Sequence, residues 1–159
     1  MARVVCTEVD IDASPSAVWQ ELVNFSAYPD WNPFVRHISG DFTHGGRLAV
    51  TVAPPNNKEM RFKPLVLELE KERKFVWLGR FLMPGIFDGE HSFELLPLAG
   101  GKTRFVHQET FSGALVGMFW SRLDTDTRAG FNSMNLALKA RCEAYAESAA
   151  AGAGQRGQA

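Results

Sequence analysis

The chain has 159 residues, and 17 Lys and Arg nearly balance 18 Asp and Glu, which leaves a formal net charge of -1 at pH 7. This length fits one domain with a substantial core. The charge balance argues against the basic surface that nucleic acids require, so we expect no nucleic-acid partner. No stretch approaches the roughly 18 apolar residues of a membrane span, and the first residues carry no apolar leader. We therefore expect a cytoplasmic protein without stable membrane insertion.

The cysteines and the aromatic residues narrow the class further. Cys6 and Cys142 are far apart and have no spacing typical of a zinc site or a disulfide framework, so no metal or cofactor is expected. The chain contains 12 Phe and 4 Trp, which suits either an aromatic core or the wall of an apolar binding site.

The N-terminal third changes its hydrophobic period. Alternating apolar residues from Val5 to Ile11 predict a strand. Ser14 is a suitable N-cap and Pro15 suits the first helical position, so a helix is predicted from Pro15 to about Asn24. Two prolines in the segment 28–33 then permit only a short helical turn. Two short helices are therefore expected after the first strand.

A series of strands follows. The pattern predicts three strands at 34–42, 47–52 and 60–70, and a fourth from Phe75 to Phe81. In the third of these the apolar phase slips at Pro64, which cannot donate a ladder hydrogen bond, so this strand is expected to bend there.

The segment 87–111 is the most informative part of the sequence. Two alternating strands flank a turn centred near Ala99 and Gly100. Their inward face carries Phe87, Gly89, His91, Phe93 and Leu95, then Thr103, Phe105, His107, Glu109 and Phe111. The register would set His91 opposite Glu109, and Phe93 opposite His107.

Pairing around the loop 82–86 would likewise set Gly79 near Gly89 and Trp77 near His91. Facing glycines weaken a sheet, which indicates either strong curvature or space kept clear beside the histidine. Because unpaired polar groups are costly in a dry core, this face is predicted to line a wet pocket.

After Gly113 the period becomes helical, with a stripe made of Leu123, Thr127, Phe131, Met134, Leu138, Cys142 and Tyr145. The apolar segment 113–120 has several interpretations: an entry gate, a membrane-touching loop, a homodimer patch or an ordinary helix start. Residues 148–159 lack apolar anchors and are predicted to be a disordered tail, so the domain is expected to span residues 1–147.

Three segments resemble one known group of proteins: 11–19 (IDASPSAVW), 28–34 (YPDWNPF), and 89–93 (GEHSF) together with 109–113 (ETFSG). On these residues the chain is similar to the helix-grip, or Bet v 1-like, superfamily, in its START-related polyketide cyclase/dehydrase and lipid-transport group (SRPBCC). The resemblance implies an α+β fold in which a curved seven-stranded antiparallel sheet wraps around a long C-terminal helix. It also implies a hydrophobic pocket for a lipid, steroid or polyketide between the sheet and that helix.

Inward positions are the candidate ligand contacts, and Trp31 could lie either at the pocket's mouth or against the end of the sheet. The predicted ligand-binding residues are Trp31, Phe62, Leu67, Trp77, Gly79, Phe81, Gly89, Phe93, Phe105, Phe131, Met134 and Leu138.

His91, His107 and Glu109 are the candidate catalytic residues, because a histidine oriented by a carboxylate can move a proton beside a carbonyl. The same three side chains match the ligand types of a two-histidine, one-carboxylate iron site, but such a trio arises readily by chance and no metal is assigned. Three functions stay open: a carrier of a hydrophobic small molecule, a cyclase or dehydratase, and a protein-interaction module resembling chaperone activators of this fold.

Overall fold

The computed structural model describes residues 2–55, 57–81 and 83–155. Its elements in chain order are β1 (Arg3–Ile11), α1 (Pro15–Val23), a 3₁₀ turn (Phe25–Ala27), α2 (Tyr28–Trp31), β2 (Val35–Gly40), β3 (Leu48–Val52), β4 (Met60–Phe62), β5 (Leu65–Glu70), β6 (Lys74–Phe81), β7 (Phe87–Leu98), a 3₁₀ turn (Ala99–Gly101), β8 (Lys102–Ser112) and α3 (Val116–Gln155). The α+β class and the two short helices after β1 are confirmed. Ser14 caps α1 as predicted, through a bond from the Ala17 N–H to its side chain.

The sheet prediction is right in kind and wrong in strand number. The strands form a five-stranded antiparallel sheet in the order β1-β8-β7-β6-β5 and a three-stranded sheet in the order β2-β3-β4. The predicted bent strand 60–70 is two strands, because Pro64 interrupts the ladder between β4 and β5. A bridge between Arg47 and Leu65 joins the two sheets, so together they still curve around α3.

The inward phase of β5 also differs from the prediction. The register shifts between Val66 and Glu68, which places Leu67 in a bulge. Val66, opposite Trp77, is the buried residue at this level. Leu65 pairs with Leu78, on the opposite face from Trp77, and Leu67 keeps partial exposure. The change of phase therefore occurs at Leu67, three residues after the proline.

Helix α3 packs along β1 through a narrow buried stripe, made of Thr127, Phe131, Met134, Leu138 and Cys142. Leu123 is half-buried, and Tyr145, predicted on this stripe, is exposed. Packing explains why position 130 is a glycine, since a Cβ there would overlap the ring of Phe34. In the described residues, no helix is both long and apolar enough to cross a membrane.

Two side chains of α3 fix its direction along β1. Arg128 donates to the carbonyl of Cys6 at 3.0 Å, and Lys139 donates to the carbonyl of Asp10 at 2.7 Å. Since β1 runs antiparallel to β8, the first turns of α3 lie beside the end of β8 that carries Glu109.

The helix continues past residue 147, the predicted domain boundary, and ends at Gln155. Residues 148–155 are helical rather than disordered, because their alanines have high helix propensity and extend a helix that packing already holds. The rest of the predicted tail, residues 156–159, lies outside the described residues.

Candidate functional site

The register predicted for the central hairpin is confirmed. His91 pairs with Glu109, and Phe93 pairs with His107. On the other side of β7, Trp77 pairs with His91 and Gly79 with Gly89. The turn that fixes this register occupies residues 99–101, with Gly100 in the left-handed region at φ 77°. The three candidate catalytic side chains therefore share the inner face of neighbouring strands.

The two histidines contact each other inside the core. His91 Nε2 and His107 Nε2 are 2.6 Å apart. The His107 ring stacks on Phe131 of α3 with 3.7 Å between centroids, and the His91 ring stacks on Phe93 at 4.3 Å. His107 is 0% exposed and His91 is 3% exposed. Each imidazole is thus enclosed by aromatic rings and bonds to the other.

Two further polar residues, which the sequence reasoning missed, extend this pair. Asn135 Oδ1 lies 2.9 Å from His107 Nδ1, and Asn135 Nδ2 donates to Thr7 Oγ1 at 3.0 Å. Thr7 Oγ1 in turn donates to the backbone carbonyl of His107 at 3.4 Å. Both were findable: Asn135 is one helical turn after Phe131, and strand alternation puts Thr7 on the inner face of β1.

Burial keeps both imidazoles neutral. Desolvation, followed by the nearby His107, lowers the pKa of His91 well below its ordinary value of 6.5. Desolvation lowers the pKa of His107 to about 3, against the opposing effect of the hydrogen bond with Asn135. Burial disfavours the charged imidazolium so strongly that neither histidine readily takes up a proton near neutral pH, and the predicted role of a histidine in moving a proton loses support.

Glu109 differs from the histidines because it reaches solvent. Its side chain is 18% exposed, against 4% for His91, and Oε2 lies 4.0 Å from His91 Nδ1. Desolvation raises the pKa of Glu109 from 4.5 to about 8. The carboxyl is therefore mostly protonated at neutral pH and lies next to an imidazole that carries no charge.

The two facing glycines make room for protein side chains. A Cβ on Gly89 would overlap Glu109 Oε1 and would lie 3.4 Å from Glu109 Cδ. A Cβ on Gly79 would lie 3.3 Å from Phe62 Cδ2. The space that the sequence indicated beside His91 is thus occupied by the Glu109 carboxyl and the Phe62 ring.

The predicted ligand contacts fall into three groups. One group is closed to solvent, with exposures of 0 or 1%: Trp77, Phe93, Phe105, Phe131, Met134 and Leu138. We call the interface around Phe93, Leu95, Phe105 and Leu138 the closed end. Its side chains pack directly against one another, so a wet pocket is not present there.

The opposite end of the same interface is less complete. Phe62, Phe87, Trp120 and Leu123 pack against the core but stay partly exposed. Trp120 and Leu123 belong to the first turns of α3, which lie beside the end of β8 that carries Glu109. The ring centroids of Phe87 and Phe111 are 5.8 Å apart, and those of Phe111 and Trp120 are 6.4 Å apart. We call this region the open end.

The remaining predicted contacts lie elsewhere or outside what is described. Trp31 is half-buried, with 5.0 Å between its ring centroid and that of Tyr28, and among the described residues its indole Nε1 has no hydrogen-bond partner. Phe81 ends β6, and its side chain lies outside the described residues. At the start of α3, Met118 and Phe119 are exposed, and the alternatives for this segment stay predictions.

Two features bear on other kinds of site. Among the residues that the structure describes, no group of three His, Cys, Asp or Glu side chains could hold a metal ion. A groove of about 670 Å³ lies along β2, β3 and β4, where His37, Thr51 and Arg61 form an outward cross-strand row. Its lining does not include His91 or His107, and it shares only Phe62 with the predicted ligand contacts.

Solved structures with this fold include proteins of several kinds. The Zhui aromatase/cyclase from Streptomyces sp. R1128 is 14% identical with a TM-score of 0.73, and the match covers 90% of this chain and 94% of that one. A START superfamily protein from Mycobacterium smegmatis is 19% identical with a TM-score of 0.68, covering 89% and 98%. A norcoclaurine synthase mutant from Thalictrum flavum is 13% identical with a TM-score of 0.71, covering 91% and 96%. These identities support the helix-grip fold and no particular activity.

No curated protein matches the sequence. One family model does match, over residues 2–143, and its description is polyketide cyclase / dehydrase and lipid transport. Because the match spans both sheets and most of α3, the chain belongs to the polyketide cyclase / dehydrase and lipid transport family.

Proposed function

We propose that the protein binds a hydrophobic small molecule, such as a lipid, polyketide or aromatic metabolite, at the open end, with a polar group of that molecule against Glu109. The observation that carries this proposal is the partial exposure of the inward Glu109 carboxyl among incompletely buried apolar side chains. Binding sites for small molecules are typically apolar with a few convergent polar groups, and the open end has this composition.

The closed end supports the proposal by exclusion. Its side chains already fill the space between sheet and helix, so a ligand there would have to displace packed aromatic rings. At the open end, a ligand would instead bury apolar surface that is still exposed on Phe62, Phe87 and Leu123. Of the predicted ligand contacts, the proposal therefore retains Phe62, Gly79 and Gly89, and it adds Glu109, which was predicted as a catalytic residue.

The test is to incubate the purified protein with a bacterial lipid and metabolite extract and to identify what stays bound by native mass spectrometry. Leu123→Glu places a charge at the open end and is expected to abolish the bound mass. Leu136→Glu is the matched control, since Leu136 lies on the same helix and is 62% exposed. Loss of ligand in both variants, or a protein that is always empty, would contradict the proposal.

A cyclase or dehydratase acting at the same end is the second candidate, and the raised pKa of Glu109 is the observation that favours it. A carboxyl that holds its proton near pH 7 is suited to general acid catalysis. Glu109 would contact the substrate, whereas the fully buried His107 would not and would act only through His91. Glu109→Gln should then keep ligand affinity and lose turnover, whereas a pure carrier converts no ligand in either form.

A further inference from the structure

A chain of polar groups runs inward from Glu109 through His91, His107 and Asn135 to Thr7. We call it the polar chain. The direction of its hydrogen bonds follows from its inner end, where Thr7 meets a backbone carbonyl. The backbone carbonyl of His107 can only accept, so the Thr7 hydroxyl must donate to it. Thr7 Oγ1 is then left as an acceptor, and the group of Asn135 that faces it must be the amide nitrogen. This places Asn135 Oδ1, an acceptor, against His107 Nδ1.

The same reasoning assigns both imidazole tautomers. His107 must carry its hydrogen on Nδ1 to donate to Asn135, and because the ring is neutral its Nε2 is an unprotonated acceptor. His91 Nε2 lies 2.6 Å from that atom and must therefore donate to it. His91 Nδ1 then holds a lone pair, and it faces Glu109 at 4.0 Å, which is too long for a direct hydrogen bond.

We propose that this chain makes His91 Nδ1 a fixed acceptor beside the Glu109 carboxyl, and that the pair selects an apolar molecule bearing a hydroxyl, an alcohol or a phenol, at the open end. The hydroxyl donates to His91 Nδ1 and accepts from the carboxylic acid of Glu109. In this arrangement Thr7 and Asn135 are positioning residues, which act on the ligand only through the two histidines. The proposal rests on the binding function proposed above.

The separation of the two groups fits such an oxygen. Two hydrogen bonds of about 2.8 Å that meet at one oxygen and span 4.0 Å enclose an angle of roughly 90°, which is close to the angle between the donor and acceptor directions of a hydroxyl. An ether or a methyl group cannot donate to His91 Nδ1. A ketone can accept from Glu109 but leaves the imidazole lone pair unpaired.

The direction of the chain is tested without any ligand. Long-range proton–nitrogen NMR of ¹⁵N-labelled protein at pH 7 distinguishes protonated from bare imidazole nitrogens. We expect hydrogens on His107 Nδ1 and His91 Nε2 and none on His91 Nδ1. Thr7→Val removes the anchoring hydroxyl and should produce a second tautomer at both histidines, whereas Thr7→Ser should not. The opposite tautomers in the unaltered protein, or no change in Thr7→Val, would overturn the proposal.

Selection of a hydroxyl is tested with 2-naphthol and 2-methoxynaphthalene, which share one ring system and differ in the donor. We expect 2-naphthol to bind about tenfold more tightly, and Thr7→Val to reduce this ratio while Thr7→Ser keeps it. Equal affinities would overturn the hydroxyl proposal and leave the binding function standing. If neither compound nor any extract component binds, the binding function itself fails, whatever the tautomers are.

Discussion

The closed and open ends of the sheet–helix interface share central strands and the same helix, yet their inner-face side chains differ in how completely they are buried. At the closed end Phe93, Leu95 and Phe105 are 0 to 1% exposed. At the open end two glycines on β6 and β7 remove side chains from the inner face, and the Glu109 carboxyl and the Phe62 ring that occupy that space stay partly exposed. The difference shows that a helix-grip interface can be a dry core over much of its length and a candidate site at one end.

The polar chain lies between the two ends, and the contacts of its members explain why the core tolerates buried polar groups. His91 and His107 are deeply buried, but each has a hydrogen-bond partner and a stacked aromatic ring. Burial of polar groups is costly mainly when they lack partners. Exposure therefore begins at Glu109, where the chain of direct hydrogen bonds ends.

The largest expected effect separates the two packing environments by stability. Phe131→Ala removes a fully buried ring that stacks on His107, so we expect the free energy of unfolding to fall by about 3–5 kcal/mol. Leu123→Ala, on the same helix at the open end, should cost less than about 2 kcal/mol because that side chain is already half-exposed. Urea denaturation of both variants measures this difference, and equal losses would mean that the open end is as tightly packed as the core.

A smaller effect tests what the two glycines accommodate. Gly89→Ala should destabilise by about 1–3 kcal/mol because its methyl group overlaps the Glu109 carboxyl, whereas Gly79→Ala should cost less since only the Phe62 ring must shift. In a Glu109→Ala background the cost of Gly89→Ala should shrink. Chemical denaturation of the unaltered protein, Gly89→Ala, Glu109→Ala and the double variant gives the coupling free energy between the two positions. Additive costs would show that Gly89 does not accommodate the carboxyl.

A further prediction is a pH dependence of stability that belongs to the open end. Burial raises the pKa of Glu109 from 4.5 in the unfolded chain to about 8, so the folded state holds this proton more tightly. Its stabilising contribution is complete below pH 4.5 and is lost as the pH rises to about 8, by at most about 1.4 kcal/mol per pH unit. Glu109→Gln should remove this decline.

The two buried histidines affect the same dependence of stability on pH, but only at acidic pH. Their pKa values are lowered from 6.5 in the unfolded chain, so they cost stability only as the pH falls below 6.5. The interval from pH 6.5 to 8 therefore isolates Glu109 from His91 and His107. Thermal or urea unfolding across this interval measures the effect, with Glu90→Gln, an exposed outward position on β7, as control. An unchanged slope in Glu109→Gln would contradict the assignment.

Much of the site was predictable because local rules set it. The turn at residues 99–101 and strict alternation determine which residues of the hairpin face inward and which pair, so His91 and Glu109 could be set opposite each other. The break at Pro64 was visible as well, but whether it bends one strand or separates two depends on how the β2-β3-β4 sheet departs from its neighbour. The bulge at Leu67 is of the same kind, because nothing local to β5 dictates where its register shifts.

The sequence by itself determined most of the order of strands and helices, the hairpin register and the inward position of His91, His107 and Glu109, because periodicity and turn chemistry act over a few neighbouring residues. The helix-grip class was implied by the resemblance of three segments to a known superfamily. Only the tertiary structure decided that Asn135 of α3 and Thr7 of β1 complete the polar chain, and that Gly89 accommodates a carboxyl. Those contacts join residues up to 128 positions apart, and they exist because helix and sheet pack closely enough for side chains to exclude water on one side of Glu109 and admit it on the other.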